Sequence, residues 1–129
     1  MKANELRIGN LIKCKFKLAS DYEDIRCNKD IIFHFDIYDL KPIPLTAEWL
    51  IKFGFKKRLD EKMICDLHHI GMNPITHDYL FFTHNHLFCL KRICSEKYPF
   101  FLFGYHKIKY VHQLQNLYFA LLNKELTLI

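Results

Sequence analysis

The sequence predicts an α+β fold: a small, bent, SH3-like antiparallel sheet at the N-terminus, a short helix, further antiparallel strands and a C-terminal amphipathic helix. Three observations predict it. Apolar and polar residues alternate from Ile12 to Phe16 and again from Ile31 to Leu40, the period of half-buried strands. Val111, Leu114, Leu117, Tyr118 and Leu121 recur at three- and four-residue steps, the period of one helix face. Turn and cap residues stand between these segments. At 129 residues, half of them hydrophobic, the chain has the size of one domain, 1–129. With only 4 Gly and 4 Pro it is neither linker-rich nor of low complexity, and it holds no internal repeat.

The N-terminal sheet is expected over 1–44. Gly9-Asn10 makes a turn, and Leu11–Phe16 follows as a strand. Ser20–Asp24 is polar and reads as a loop. Ile31, Phe33, Phe35 and Ile37 lie on one face of a second strand that runs to Leu40. Two prolines in Lys41-Pro42-Ile43-Pro44 impose an extended connector.

A helix is expected over 45–54. Thr46 is its N-cap, and Glu48 sits where the helix dipole favours an acid. Leu45 and Leu50 are spaced as a hydrophobic staple. Trp49, Leu50 and Phe53 form the apolar stripe, and Gly54 ends the helix.

Residues 55–109 read as strands and a hairpin. Lys56-Lys57-Arg58 is a basic run near a turn, Met63–Ile70 a strand and Gly71–Asp78 a loop. Tyr79–Phe82 and Leu87–Leu90 flank the polar Thr83-His84-Asn85-His86 and form a β-hairpin. Phe100–Phe103 is a further short strand. The closing helix occupies 110–123, with His112, Gln113, Gln115 and Asn116 facing away from its apolar stripe and Asn123 as a left-handed cap. Glu125–Ile129 is read as a last strand.

The formal charge is +5 and unevenly distributed. Residues 1–44 carry 8 basic and 7 acidic side chains, whereas residues 45–129 carry 11 and 7. A basic half favours acidic partners: RNA, DNA or an acidic protein face. The five cysteines, Cys14, Cys27, Cys65, Cys89 and Cys94, are odd in number and have no CxxC spacing. The polar start, MKANELRIGN, is unlike a signal peptide, so reduced thiols in the cytoplasm are expected. No apolar run approaches the roughly 18 residues that span a bilayer.

Catalytic and metal motifs are lacking. His84 and His86 would share a side on a strand, but they fall in the hairpin loop with no cysteine or acid at ligand spacing. They therefore read as ordinary loop histidines, none of the other candidates His68, His69, His77, His106 and His112 is taken as a ligand, and no metal or cofactor is expected. Cys65, beside Asp66 and near His68, is the least poor thiol nucleophile; a structural thiol is the simpler reading. His106 and His112 could act as a nuclease base and acid if the fold brought them together.

Three segments carry a resemblance. The opening KANELRIGN, the central Leu40–Thr46 segment with Ala47-Glu48-Trp49-Leu50, and the closing Tyr110–Leu122 resemble a family of small uncharacterised proteins. That family belongs to phages, prophages and mobile elements of Bacteroidota. The segments cover about a third of the chain, in the family's order, and are markers of membership rather than of mechanism. Lys56–Lys109 departs most from the pattern. The resemblance implies an accessory protein acting inside the bacterial host. RNA-guided type VI CRISPR nucleases are common in such hosts, so an anti-CRISPR activity is one concrete form of it.

Basic residues interleaved with aromatics are the strongest positive signal, because lysine and arginine seek phosphates while rings stack on bases. The residues expected to bind a partner or nucleic acid are Lys56, Lys57, Arg58, Lys91, Arg92, Lys97, Tyr105, Lys107 and Lys109. The expected function is a non-enzymatic inhibitor of a host defence effector, a protein that handles nucleic acid. The alternatives are a direct RNA- or DNA-binding module and a small histidine-dependent nuclease.

Overall fold

A computed structural model describes residues 5–59, 79–83, 88–92, 97, 100–102 and 106–129. They form two compact units. One comprises Met1–Pro44 with Tyr110–Leu126, the other Leu45–Lys109 with Thr127–Ile129. The mixed α+β class is as the sequence predicts, with antiparallel sheets, a short helix and the C-terminal helix all present. No helix of the described residues is long and apolar enough to cross a membrane.

In the first unit, β1 (Leu11–Phe16) has the expected bounds and lies between β2 (Glu23–Arg26) and β3 (Tyr38–Lys41), antiparallel to both. Gly9 enters the strand at φ +95°, which glycine adopts without strain, and the Asn10 side chain holds the turn by accepting from the Arg7 amide at 2.6 Å. Ile12 and Cys14 face a core that includes Leu6, Cys27 and Ile31.

Two expectations for this unit are corrected. The segment read as a strand from Ile31 begins instead as a helix, α1 (Lys29–Phe33), and the strand starts only at Tyr38. The cause is Asn28, whose side chain caps the helix by accepting from the Ile31 amide at 3.1 Å. The adjacent Ile31 and Ile32 both turn to the core, which an alternating strand forbids, while Phe33 is left exposed. Ser20–Asp24, read as a loop, ends within β2. That edge strand has only Ile25 against the core, so it carries no alternating pattern to find.

The closing helix, α3 (Val111–Leu122), lies within the predicted 110–123, and Asn123 caps it at φ +53°. Its buried face is only partly the predicted one, sharing Val111 and Leu114 with it. Val111, His112, Leu114 and Gln115 are buried, whereas Leu121 is 53% exposed. The face is turned by polar bonds. Gln115 accepts from the Leu11 amide at 2.8 Å and donates to the Gly9 carbonyl at 3.3 Å. Asn116 accepts from the Asn10 amide group at 2.9 Å and donates to the Glu5 carbonyl at 2.8 Å. Arg7 pairs with Glu125 and lies 4.0 Å from the centre of the Phe119 ring.

In the second unit, α2 (Ala47–Lys52) starts where predicted. Thr46 Oγ1 accepts from the Trp49 amide at 3.4 Å, and Leu45 and Leu50 are both buried. Gly54 ends it at φ +87°. A five-stranded antiparallel meander follows: β4 (Lys56–Leu59), β5 (Tyr79–Phe82), β6 (Cys89–Arg92), β7 (Phe100–Leu102) and β8 (His106–Ile108). The basic run read as lying near a turn is thus a strand. The predicted hairpin is β5–β6, closed by Phe82 opposite Cys89 and by the Thr83 amide donating to the Phe88 carbonyl. The core side holds Phe81 and Phe100, packed edge to face at 5.7 Å, with Leu90, Leu102 and Ile108. The strand read at Met63–Ile70, the loop at Gly71–Asp78 and the histidine pair His84–His86 lie outside the described residues. Glu125–Ile129 forms no strand; the Ile129 amide donates to the Lys52 carbonyl at 2.9 Å.

Candidate nucleic-acid interface

The register of the five-stranded sheet sorts its residues into rows. Phe81, Leu90 and Leu102 sit side by side across three strands, and Phe100 pairs with Ile108 two residues away on the same side. All five are buried. Because successive residues of a strand face opposite ways, the intervening row belongs to the other face. That row runs through Lys91, Phe101 and Lys107, with Arg58 and Leu80 at its register positions in β4 and β5. Lys56 stands two positions from Arg58, at the level of Phe82 and Cys89.

This face is cationic and aromatic. Lys56 and Lys107 are exposed, and Lys91 and Phe101 are half-buried. The Lys107 ammonium lies 5.5 Å from the centre of the Phe101 ring, a cation–π distance. The five strands contain Lys56, Lys57, Arg58, Lys91, Arg92 and Lys107 and not one aspartate or glutamate. Strands lie roughly 4.8 Å apart, so Lys91 and Lys107 are separated by about 10 Å with Phe101 between them. That arrangement offers two phosphate contacts on either side of a ring.

The N-terminal sheet differs in its charge balance. Lys13 pairs with Asp24 at 3.1 Å. Tyr22 donates to Asp39 at 2.5 Å, which pushes its phenol up to about 12, and its ring lies 5.0 Å from the Lys15 ammonium and 4.4 Å from that of Lys41. The lysines there are matched by local acids and a ring; those of the five-stranded sheet have no acid in their own strands.

The predicted site residues divide accordingly. Lys56, Lys91 and Lys107 share the open face by register, and Arg58 stands at the matching register position of β4, opposite Leu80. Lys57 and Arg92 occupy the alternate positions, in the rows of Phe81 and Phe100. Lys97 is exposed between β6 and β7, and Lys109 is exposed just after β8, its carbonyl accepting from the Leu45 amide at 2.9 Å. Tyr105 lies outside the described residues. Phe101 was missed. Reading Phe100–Phe103 as one apolar run hid it, although a period of two through Phe100 and Leu102 would have placed it on the opposite face.

The catalytic alternatives gain little from the geometry. His112 is 1% exposed, neither ring nitrogen has a partner among the described residues, and burial holds its pKa below the ordinary histidine value. A shielded imidazole cannot reach a dissolved substrate, so it does not form an accessible acid–base couple with the exposed His106. Burial pushes the Cys14 and Cys27 thiols up, away from the thiolate. Cys65 lies outside the described residues. No group of three or more metal-ligating side chains occurs among the described residues. In comparisons with known proteins, the chain matches no family model, no curated protein and no solved structure.

Proposed function

We propose that this protein is a non-enzymatic binding protein that applies the open face of its five-stranded sheet to RNA, and through that RNA to a host nucleic-acid-handling effector. The observation that carries the reading is the acid-free row Lys91–Phe101–Lys107, continued by register to Arg58. Ammonium groups neutralise phosphates and release counterions, while an aromatic ring accepts a stacked base whatever its identity. The mobile-element resemblance supplies the context: an accessory protein that blocks a host defence nuclease. A type VI RNA-guided effector, with guide and target RNA at its surface, is the target of choice. Direct capture of free single-stranded RNA is the second reading, favoured by the half-buried Phe101 ring.

The test is fluorescence anisotropy with single-stranded RNA and with a guide-loaded type VI effector, across a salt series. Three cations on one face, Lys56, Lys91 and Lys107, each matched to a phosphate, give a slope of log K against log salt of about −2. Lys91→Glu with Lys107→Glu reduces that slope by about 1.4 and abolishes inhibition of target cleavage. Binding to free RNA with no effect on cleavage favours the second reading. Unchanged affinity in the double variant refutes both.

A further inference from the structure

On the open face of the five-stranded sheet, Lys91, Phe101 and Lys107 stand level on three adjacent strands. Lys91 and Phe101 are half-buried, and Lys107 is exposed. The Lys107 ammonium lies 5.5 Å from the centre of the Phe101 ring, so the ring keeps a surface that a π-seeking group can reach. The five strands contain no Asn, Gln, Ser, Thr, Asp or Glu. An ammonium donates hydrogen bonds and accepts none. The amino groups of adenine and cytosine, which a base-reading side chain must accept from, therefore meet no acceptor in this row. Tyr79 and His106, which can accept, stand opposite Arg92 and Leu102 in the alternate row.

Taking this face as the nucleic-acid interface proposed above, we propose that its ligand is an unpaired strand bound without regard to sequence or sugar. Single-stranded RNA and single-stranded DNA then bind alike, and duplexes bind poorly. Only an unpaired base can leave its neighbours and lie on Phe101, where it takes the place of the Lys107 ammonium. The displaced ammonium turns to a phosphate on one side of the ring, and Lys91 holds a phosphate on the other. A duplex keeps its bases stacked inside and offers this face phosphates alone. The ribose 2′-hydroxyl is the group that separates RNA from DNA. With no acceptor in the row its proton finds no partner there, and its loss removes no contact.

Fluorescence anisotropy of the full chain at low salt tests this, with one mixed sequence as an RNA strand, as a DNA strand and as the duplex of each. The two single strands bind within about threefold of each other, and the duplexes bind about tenfold or more weakly, the loss of one stacked base. A scrambled sequence changes nothing. Phe101→Leu lowers single-strand affinity about tenfold but leaves the duplex affinity and the salt slope as they were, because no phosphate contact is removed. Phe101→Tyr recovers most of the loss, which separates stacking from folding. A duplex bound as tightly as the single strands, RNA favoured over DNA about tenfold or more, or a Phe101→Leu variant that binds like the wild type would each overturn the inference while leaving the face a nucleic-acid interface. If none of the four probes binds, the interface reading fails, and the inference with it.

Discussion

Gln115→Leu should destabilise the protein by about 2–4 kcal/mol. The side chain is 1% exposed and ties two backbone groups of the N-terminal turn to α3. β3 pairs with β1 only from Lys13 onward, so the Leu11 amide lies beyond the end of that ladder and takes Gln115 as its acceptor at 2.8 Å. Leucine matches glutamine roughly in size but offers neither acceptor nor donor. The Leu11 amide, in a residue only 6% exposed, would lose its partner, at a cost of about 1–3 kcal/mol. The Gly9 carbonyl, half-buried, adds about 1 kcal/mol. Against a typical total of about 5–15 kcal/mol, this is a large fraction. Urea denaturation followed by circular dichroism gives the free energy, and amide hydrogen exchange reads the Leu11 N–H directly. Leu121→Gln is the matched control. Its side chain is 53% exposed, so the loss should stay under about 1 kcal/mol. If Gln115→Leu costs no more than Leu121→Gln and Leu11 exchange is unchanged, the polar clasp is not what orients the helix.

Two further outcomes follow from the described contacts. His112 has a folded-state pKa held below its unfolded value by burial, with the Glu5 charge acting in the opposite sense. The unfolded chain therefore binds the proton first as pH falls. Its stabilising contribution is complete above about pH 6.5 and declines by up to about 1.4 kcal/mol per pH unit below that, until the folded form also protonates. His112→Phe should flatten this part of a stability-versus-pH curve measured by urea denaturation. Thr46→Ala removes the acceptor for the Trp49 amide and should cost about 1 kcal/mol in the same assay, with Thr46→Ser recovering most of it.

The elements legible in the sequence were those whose signals are local. β1 appears with its predicted bounds, and α3 within its predicted 110–123, because the alternation from Ile12 to Phe16 and the three- and four-residue steps from Val111 to Leu121 are local signals. The start of α2 was legible because Thr46, Glu48 and the Leu45–Leu50 staple all specify one register. The Ile31–Leu40 segment failed because five-residue α1 is too short to display a helical period; its one local sign, Asn28 capping Ile31, is a single residue set against an apparent alternation. The buried face of α3 failed for a different reason. Hydrophobic periodicity scores glutamine and histidine as outward, yet Gln115 is buried because its partners, Leu11 and Gly9, are more than a hundred residues away in sequence. No window of local sequence contains both ends of such a bond.

For the candidate site, the same limit separates composition from arrangement. That residues 45–129 are basic, and that lysines there are interleaved with rings, is composition, and it singles out the segment that contains the five-stranded cationic sheet. Which lysines stand together depends on pairing register, and a shift of one residue would send each to the opposite face. The register places Lys91 against Phe101 and Phe101 against Lys107, while Lys57 and Arg92, adjacent in sequence to members of that row, fall on the alternate side. A basic dipeptide such as Lys91-Arg92 therefore divides its two charges between the two faces of the sheet. The pairing of a positive row with one ring follows from strand order, in which β6, β7 and β8 are sequential neighbours. Sequential hairpins are the one topology in which a period-two reading of three short strands would have recovered the row. Phe101, flanked by the buried Phe100 and Leu102, is the residue from which that reading should have begun.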